Sequence, residues 1–304
     1  MIADFCLGVV HSRPLILNMR LKELKALCID VLRMQGKSKN TISVYVSRMD
    51  SFISFMGAKN TVEYTDVIRY GKYLYEHYDK ERTRYGRLQA VRTLATQAEM
   101  LKIPFVPVSY IILPKIKDSK RTVPTIEELY RIIKKIKTHI LQGLRNRAIL
   151  ETFMGSGCRI SELCSLNKAE VNFHLREFTT LTKGAKWHTY QITARGLRWI
   201  KKYLRMRGDD DNPALFTTAQ DRINDETIRV FFRKVKKEAG IERDIRIHDL
   251  RHFFANNFLE NGGVLTALQE QLGHSAVTTT MLYVRHNSKF LRREFKRARI
   301  MAST

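Results

Sequence analysis

The chain has 304 residues, 44% of them hydrophobic, enough for the cores of two domains and too many for a disordered basic tail. It carries 54 Lys and Arg against 30 Asp and Glu, a net charge of +24. That excess goes beyond a generic solubilising surface and favours a polyanionic partner, nucleic acid first and an anionic membrane surface second.

Cys6, Cys28, Cys158 and Cys164 form no Cys-x-x-Cys pair, which argues against a structural zinc site and for reduced thiols in a cytosol. No apolar run approaches the roughly 18 residues a membrane span needs. Residues 1–18 are mildly apolar, without a basic start or a clear cleavage site. They read as a loosely attached extension and not as a signal peptide.

From Met19 the pattern is helical. In LKELKALCIDVLRMQG, Leu21, Leu24, Leu27, Cys28, Val31 and Leu32 recur at three- and four-residue steps, and Gly36 is a stop. A second helix follows, capped by Ser38 or Asn40, with Lys37 and Lys39 at its start. Two more are expected near 64–78 and 83–101. About half the tyrosines of RYGKYLYEHYDKERTRYGR read as ordinary packing. The rest, interleaved with Arg69, Arg82, Arg84 and Arg87, suit a nucleic-acid backbone. Four of the six prolines fall at 104–124. Residues 113–124, LPKIKDSKRTVP, are also basic and read as a linker in which Lys115, Lys117, Lys120 and Arg121 are candidate nucleic-acid contacts, as are Lys37 and Lys39. The expected division is therefore a helical domain over 19–112, the linker over 113–124 and a second domain over 125–304.

The second domain opens on TIEEL, whose Thr125 and Glu128 have capping-box spacing. Helices are expected at about 125–137 and 142–155. EFTTLT and WHTYQITA flank KGAK and read as a β-hairpin with Gly184 in the turn. Further helices are expected near 195–206, 224–239, 248–261, 264–272, 276–284 and 288–300. The fold class is mostly α with a small β-hairpin or sheet, an α+β arrangement.

Three stretches carry chemistry. In IHDLRHFFANNFL, His248 and His252 have the spacing of a zinc helix, yet Asp249 replaces the Glu such a site needs as its base. Arg251 on the same face would repel a dication. Two imidazoles and a guanidinium favour phosphate instead. In GSGCRISEL, Gly155 and Gly157 allow a tight loop, and Glu162 lies three residues after Arg159, in reach of its fork. LGHSAVTTTMLY holds Gly273, His274 and Tyr283, the only tyrosine after Tyr203.

Together these stretches resemble the tyrosine recombinase (phage integrase) family, closest in layout to the Xer recombinases and their archaeal and plasmid relatives. GCRISEL is similar to its first arginine motif, TKGAK to its lysine hairpin, HDLRHFFANNF to its His-x-x-Arg box and LGHSAVTTTMLY to the box ending in the nucleophile. KSKNTISVYVSRMDSF is similar to its core-binding domain. The chain departs at Trp187 and His188, where an Arg often follows the second lysine, and after Tyr283, where His286 stands one place later than the usual His.

The resemblance implies a two-domain DNA clamp that cuts and rejoins strands through a 3′-phosphotyrosine. Arg159 and Arg251 would grip the phosphate, with Glu162 supporting Arg159. Tyr283 would attack, His248 would assist proton transfer, His274 would hydrogen-bond the phosphate, and Lys183 would protonate the leaving oxygen, with Lys186 on a flanking phosphate. It implies no metal and no cofactor, double-stranded DNA with paired half-sites, a tetramer on two duplexes linked by the C-terminal helix, and a cytoplasmic, nucleoid-associated protein. A type IB topoisomerase-like nicking enzyme and a non-catalytic architectural DNA-binding protein are the alternatives.

Overall fold

The computed structural model describes residues 20–116, 123–182, 186–219, 221–273 and 288–297. Residues 1–18, expected as an extension, lie outside them, as do Lys117, Lys120 and Arg121. The contacts divide the chain into two compact units, Met1–Ser119 and Lys120–Thr304.

The described part of the first unit holds α1 (Leu21–Met34), α2 (Lys39–Met56), α3 (Tyr64–His77) and α4 (Glu81–Met100). Ser38 is the cap of α2, its hydroxyl accepting from the Thr41 amide at 3.2 Å. The periodic apolar residues turn inward: Leu24 and Cys28 of α1 meet Met49 and Phe52 of α2, Tyr70 and Leu74 of α3, and Val91 and Leu94 of α4. Each Leu, Val, Met or Phe among them, fully buried, contributes about 1.5–3 kcal/mol. The tyrosine run divides by face. Tyr70 is core, edge-on to Phe52 at 5.0 Å. Tyr75 and Tyr78 instead carry the Arg84 and Arg87 guanidiniums, each 4.2 Å from the ring centre.

The second unit is also mostly helical. α5 (Ile126–Lys134) begins with a capping box in which Thr125 and Glu128 exchange bonds of 3.2 and 2.8 Å, and it stops one turn before the expected end at 137. α6 (Leu141–Ser156) is buried on every face, from Leu144 through Ala148, Ile149 and Leu150 to Phe153. It is the central helix of the unit. α7 (Ile160–Ser165) follows directly. The sheet corrects the expected two-stranded hairpin. β1 (Val171–Asn172), β2 (Glu177–Thr182) and β3 (Lys186–Gln191) form three antiparallel strands, with Val171 paired to Phe178 and Phe178 to Tyr190.

α8 (Ala194–Arg207) packs along α6, and α9 (Asp225–Glu238) closes the core through Ile228, Phe232 and Val235. α10 (Asp249–Glu260) starts one residue later than expected, because the Asp249 carboxylate accepts from the Arg246 amide at 2.7 Å and shapes the turn before it. α11 (Leu265–Leu272) ends at Gly273, and α12 (Ser288–Arg297) is the last described helix. Phe290 of α12 joins Ala255 and Leu259 of α10 and Leu268 and Leu272 of α11 in a separate small core. The expected helix at 276–284 lies outside the described residues. No helix among the described residues is long and apolar enough to cross a membrane.

Candidate active site

Gly157 ends α6 with φ +69°, where L side chains are strained, and a β-carbon there would meet the Phe254 ring at 2.4 Å. The chain can thus turn sharply into α7, whose N-cap is Arg159. Glu162, one turn on, is 2% exposed. Its Oε1 accepts from Arg159 Nη1 at 2.7 Å, and its Oε2 accepts from the Arg159 amide and the Tyr190 hydroxyl, both at 2.7 Å. Burial opposes charge on the Arg159 guanidinium, yet the Glu162 hydrogen bond and charge outweigh it and raise its pKa above the ordinary arginine value. The same carboxylate, with burial as the larger cause, raises the Tyr190 phenol and keeps it protonated. Arg159 is therefore a fixed cation with its fork held from one side.

Arg251 reaches the same place from α10. It is 3% exposed. Its Nη1 donates to Gly157 O and its Nη2 to Leu272 O, both at 2.7 Å. Arg159 Nη2 meets the next carbonyl, Gly273 O, at 3.4 Å. Two guanidiniums from sequence positions 92 apart thus converge on consecutive carbonyls at the end of α11. The His248 and His252 rings lie edge to face at 5.3 Å. His248 is exposed at the head of α10, whereas His252 is 5% exposed, and only the first faces solvent.

Gln271 binds this end of α11 to the sheet. Its Nε2 donates to Ser156 O and to Gln191 O at 2.8 Å each, and its Oε1 accepts from the Gln191 amide at 3.1 Å. His188 of β3 lies beside it, Nε2 3.3 Å from Gln271 O, and covers Gly273. Sequence reasoning missed Gln271 and Tyr190, and noted His188 only as a departure. Lys186 is exposed at the start of β3, and Trp187 beside it is 65% exposed. Lys183, His274 and Tyr283 lie outside the described residues. Of the expected catalytic set, the structure brings Arg159 and Arg251 together and places His248 at the N-cap of the helix that carries Arg251.

Residues 123–289 match the family model described as the phage integrase family. The chain belongs to this family of tyrosine recombinases. The tyrosine recombinase XerA of Pyrococcus furiosus is 32% identical over 282 residues, covering 89% of this chain and 92% of that protein. A crystal structure of XerA recombinase superimposes with a TM-score of 0.53 at 26% identity, over 93% of this chain and all of the other. A lambda integrase tetramer bound to a Holliday junction gives a TM-score of 0.75 at 14% identity, over 88% of this chain and 77% of the other, a likeness of fold. In this tyrosine recombinase the matched segment includes Arg159, Lys183, His248, Arg251, His274 and Tyr283. In the first unit, Lys37, Lys39 and Lys115 are exposed, and Arg84 and Arg87 are half-buried against their tyrosines.

Proposed function

We propose that this tyrosine recombinase exchanges DNA strands at a specific site through a 3′-phosphotyrosine, with Arg159 and Arg251 gripping the phosphate. The observation that carries the reading is their convergence on the carbonyls of Leu272 and Gly273, immediately before His274. Planar guanidiniums held in this way present fixed donors to the nonbridging oxygens of one phosphodiester and stabilise the added charge of a pentacoordinate transition state.

The Tyr283 oxygen attacks phosphorus, its proton leaving with the help of His248, and the bond to the 5′-oxygen breaks. His274 hydrogen-bonds the phosphate, and Lys183 protonates the departing 5′-oxygen. A 5′-hydroxyl from a partner strand then attacks the phosphotyrosine and releases Tyr283. One phosphoester replaces another at each step, so no nucleotide or metal enters the balance. The helical unit (19–112), the linker (113–124) and the catalytic unit (125–304) form a clamp on paired half-sites, and four protomers join two duplexes. α12 seats Phe290 in its own protomer's small core, and its exposed Leu291 is the part left for docking between protomers. Such an enzyme works in the cytoplasm on nucleoid DNA, in Xer-type resolution or in integration and excision of mobile elements.

The direct test is a nicked suicide substrate carrying the recombination site, recovered from DNA bound in the source cell, incubated in excess EDTA. A protein–DNA adduct resistant to denaturation is expected at the rate seen without chelator. Cleavage that needs restored zinc or magnesium would return the metal reading of His248 and His252.

Lys183 is separable from Lys186 by leaving-group chemistry. A thiolate departs without protonation, so a missing general acid ceases to matter when sulfur replaces the bridging 5′-oxygen. Lys183→Ala is expected to be severely slow on ordinary DNA and near wild type on the sulfur substrate. Lys186→Ala should instead weaken binding and its salt dependence, without selective rescue. Exchange of the two results would move the role to Lys186.

A further inference from the structure

α8 reads ARGLRWIKKYLRMR, with no acidic residue. Its buried residues, Leu197, Ile200 and Tyr203, fix which side faces the core. Arg195, Arg198, Lys202 and Arg205 step by three, four and three residues, so they form one stripe, and all four are exposed. α6 runs alongside in the opposite sense. The Thr193 amide donates to Gly155 O at 3.2 Å, and farther along, the Arg147 guanidinium lies 4.5 Å from the Trp199 ring centre.

Between the two helices is an open cleft of about 340 Å³ lined by Arg147, Arg195, Arg198, Trp199 and Lys202. Lys202 Nζ stands 4.7 Å from the same Trp199 ring. No carboxylate among the described residues lines the cleft. The nearby Glu151 gives its Oε1 to both Arg147 and Arg195, at 2.8 and 2.9 Å. Arg198, Lys202 and Arg205 make no ion pair with a described residue. Arg198 with Lys202, and Lys201 with Arg205, are like-charge neighbours one turn apart, an arrangement that weakens a helix until an anion covers it. Arg147 lies ten residues before Gly157, about 15 Å along α6, and the stripe continues away from the Arg159 end.

We infer that the α8 stripe, with Arg147 and Trp199, is a second binding surface for the phosphodiester backbone of a DNA segment other than the one held at Arg159 and Arg251. Cations placed about one per helical turn meet a repeating row of phosphates, and guanidiniums bind phosphate in a fork. The half-buried Trp199 ring packs against Arg147 and Lys202 and holds these two cations in place. Stable lipid anchoring needs apolar insertion beside the charge, and this stripe of four cations offers none. The inference rests on the recombinase reading only in using its covalent adduct to occupy the first site.

The test first traps the protein on a nicked suicide substrate through Tyr283, then offers a second, fluorescent 20-base-pair duplex of random sequence. Wild-type adduct should capture it with strong salt dependence. R198E/K202E/R205E should form the adduct within twofold of the wild-type rate, melt at the wild-type temperature and lose capture more than tenfold. The neutral set R198Q/K202Q/R205Q should lose it less, with a salt slope lower by about 2–3, near 0.9 per phosphate contact. Undiminished capture by both variants would overturn the inference. So would adduct formation that falls in step with capture, because the stripe would then belong to the first site. Loss of binding to vesicles containing phosphatidylserine with duplex capture intact would assign the stripe to a membrane and overturn it as well. Failure of the wild type to form any adduct would instead count against the recombinase reading.

Discussion

Replacing Tyr283 with Phe is expected to leave binding to site DNA unchanged and to abolish the covalent adduct. The substitution removes one oxygen, so packing of the ring is conserved while the nucleophile is lost. A free phenol ionises near pH 10, and attack at neutral pH therefore depends on nearby positive charge to favour the phenolate. Arg159, proposed for the same site, is a permanent charge: burial opposes it, and the Glu162 hydrogen bond and charge raise its pKa above the ordinary arginine value. Native gels should give wild-type affinity for Tyr283→Phe, and denaturing gels of a nicked suicide substrate should give no shifted band. An adduct that persists in the variant would remove Tyr283 as the nucleophile and direct attention to another hydroxyl.

Arg251→Ala is expected to slow cleavage by at least about 10²–10³-fold, the scale of losing one preorganised donor to a developing oxyanion. It should also lower stability, because Gly157 O and Leu272 O each lose a charged donor at 2.7 Å. A buried carbonyl left without its partner costs on the order of 1–3 kcal/mol. Arg251→Lys separates the two effects. A lysine keeps the charge but has no planar fork to span two carbonyls and a phosphate. Its melting temperature should lie between those of wild type and Ala, with cleavage still severely slow. Wild-type cleavage by either variant would show that the phosphate does not meet Arg251.

Much of this site was legible in local sequence, because its local parts obey helical spacing. Arg159 and Glu162 are three apart, and the pair expected from that spacing forms at 2.7 Å. The capping box at Thr125 and Glu128 and the apolar stripes of α1 and α9 follow from the same periodicity. What escaped depends on long-range contact. Gln271 looks like any polar residue near a helix end, and its role arises only when Gln191 and Ser156, 80 and 115 residues away, come within hydrogen-bond reach. Tyr190 read as a strand aromatic, since nothing near it in sequence announces the Glu162 carboxylate. β1 has two residues, too few for any alternation to register. The His248–His252 spacing suggested one shared helix face, but the turn built by Asp249 leaves His248 at the N-cap, exposed while His252 is buried.

The two carbonyls that hold Arg251 differ in how readily they can move. Gly157 O follows directly on α6, which has core packed around it on every side and is expected to open only with the whole unit. Leu272 O ends α11, an eight-residue helix resting on the small satellite core of Ala255, Leu259, Leu268 and Phe290. Arg251 therefore spans a stiff support and a compliant one. Opening of the site is expected first on the α11 side, where it also breaks the Gln271 bonds to Ser156 and Gln191. In hydrogen exchange, the amides of α11 should open well before those of α6.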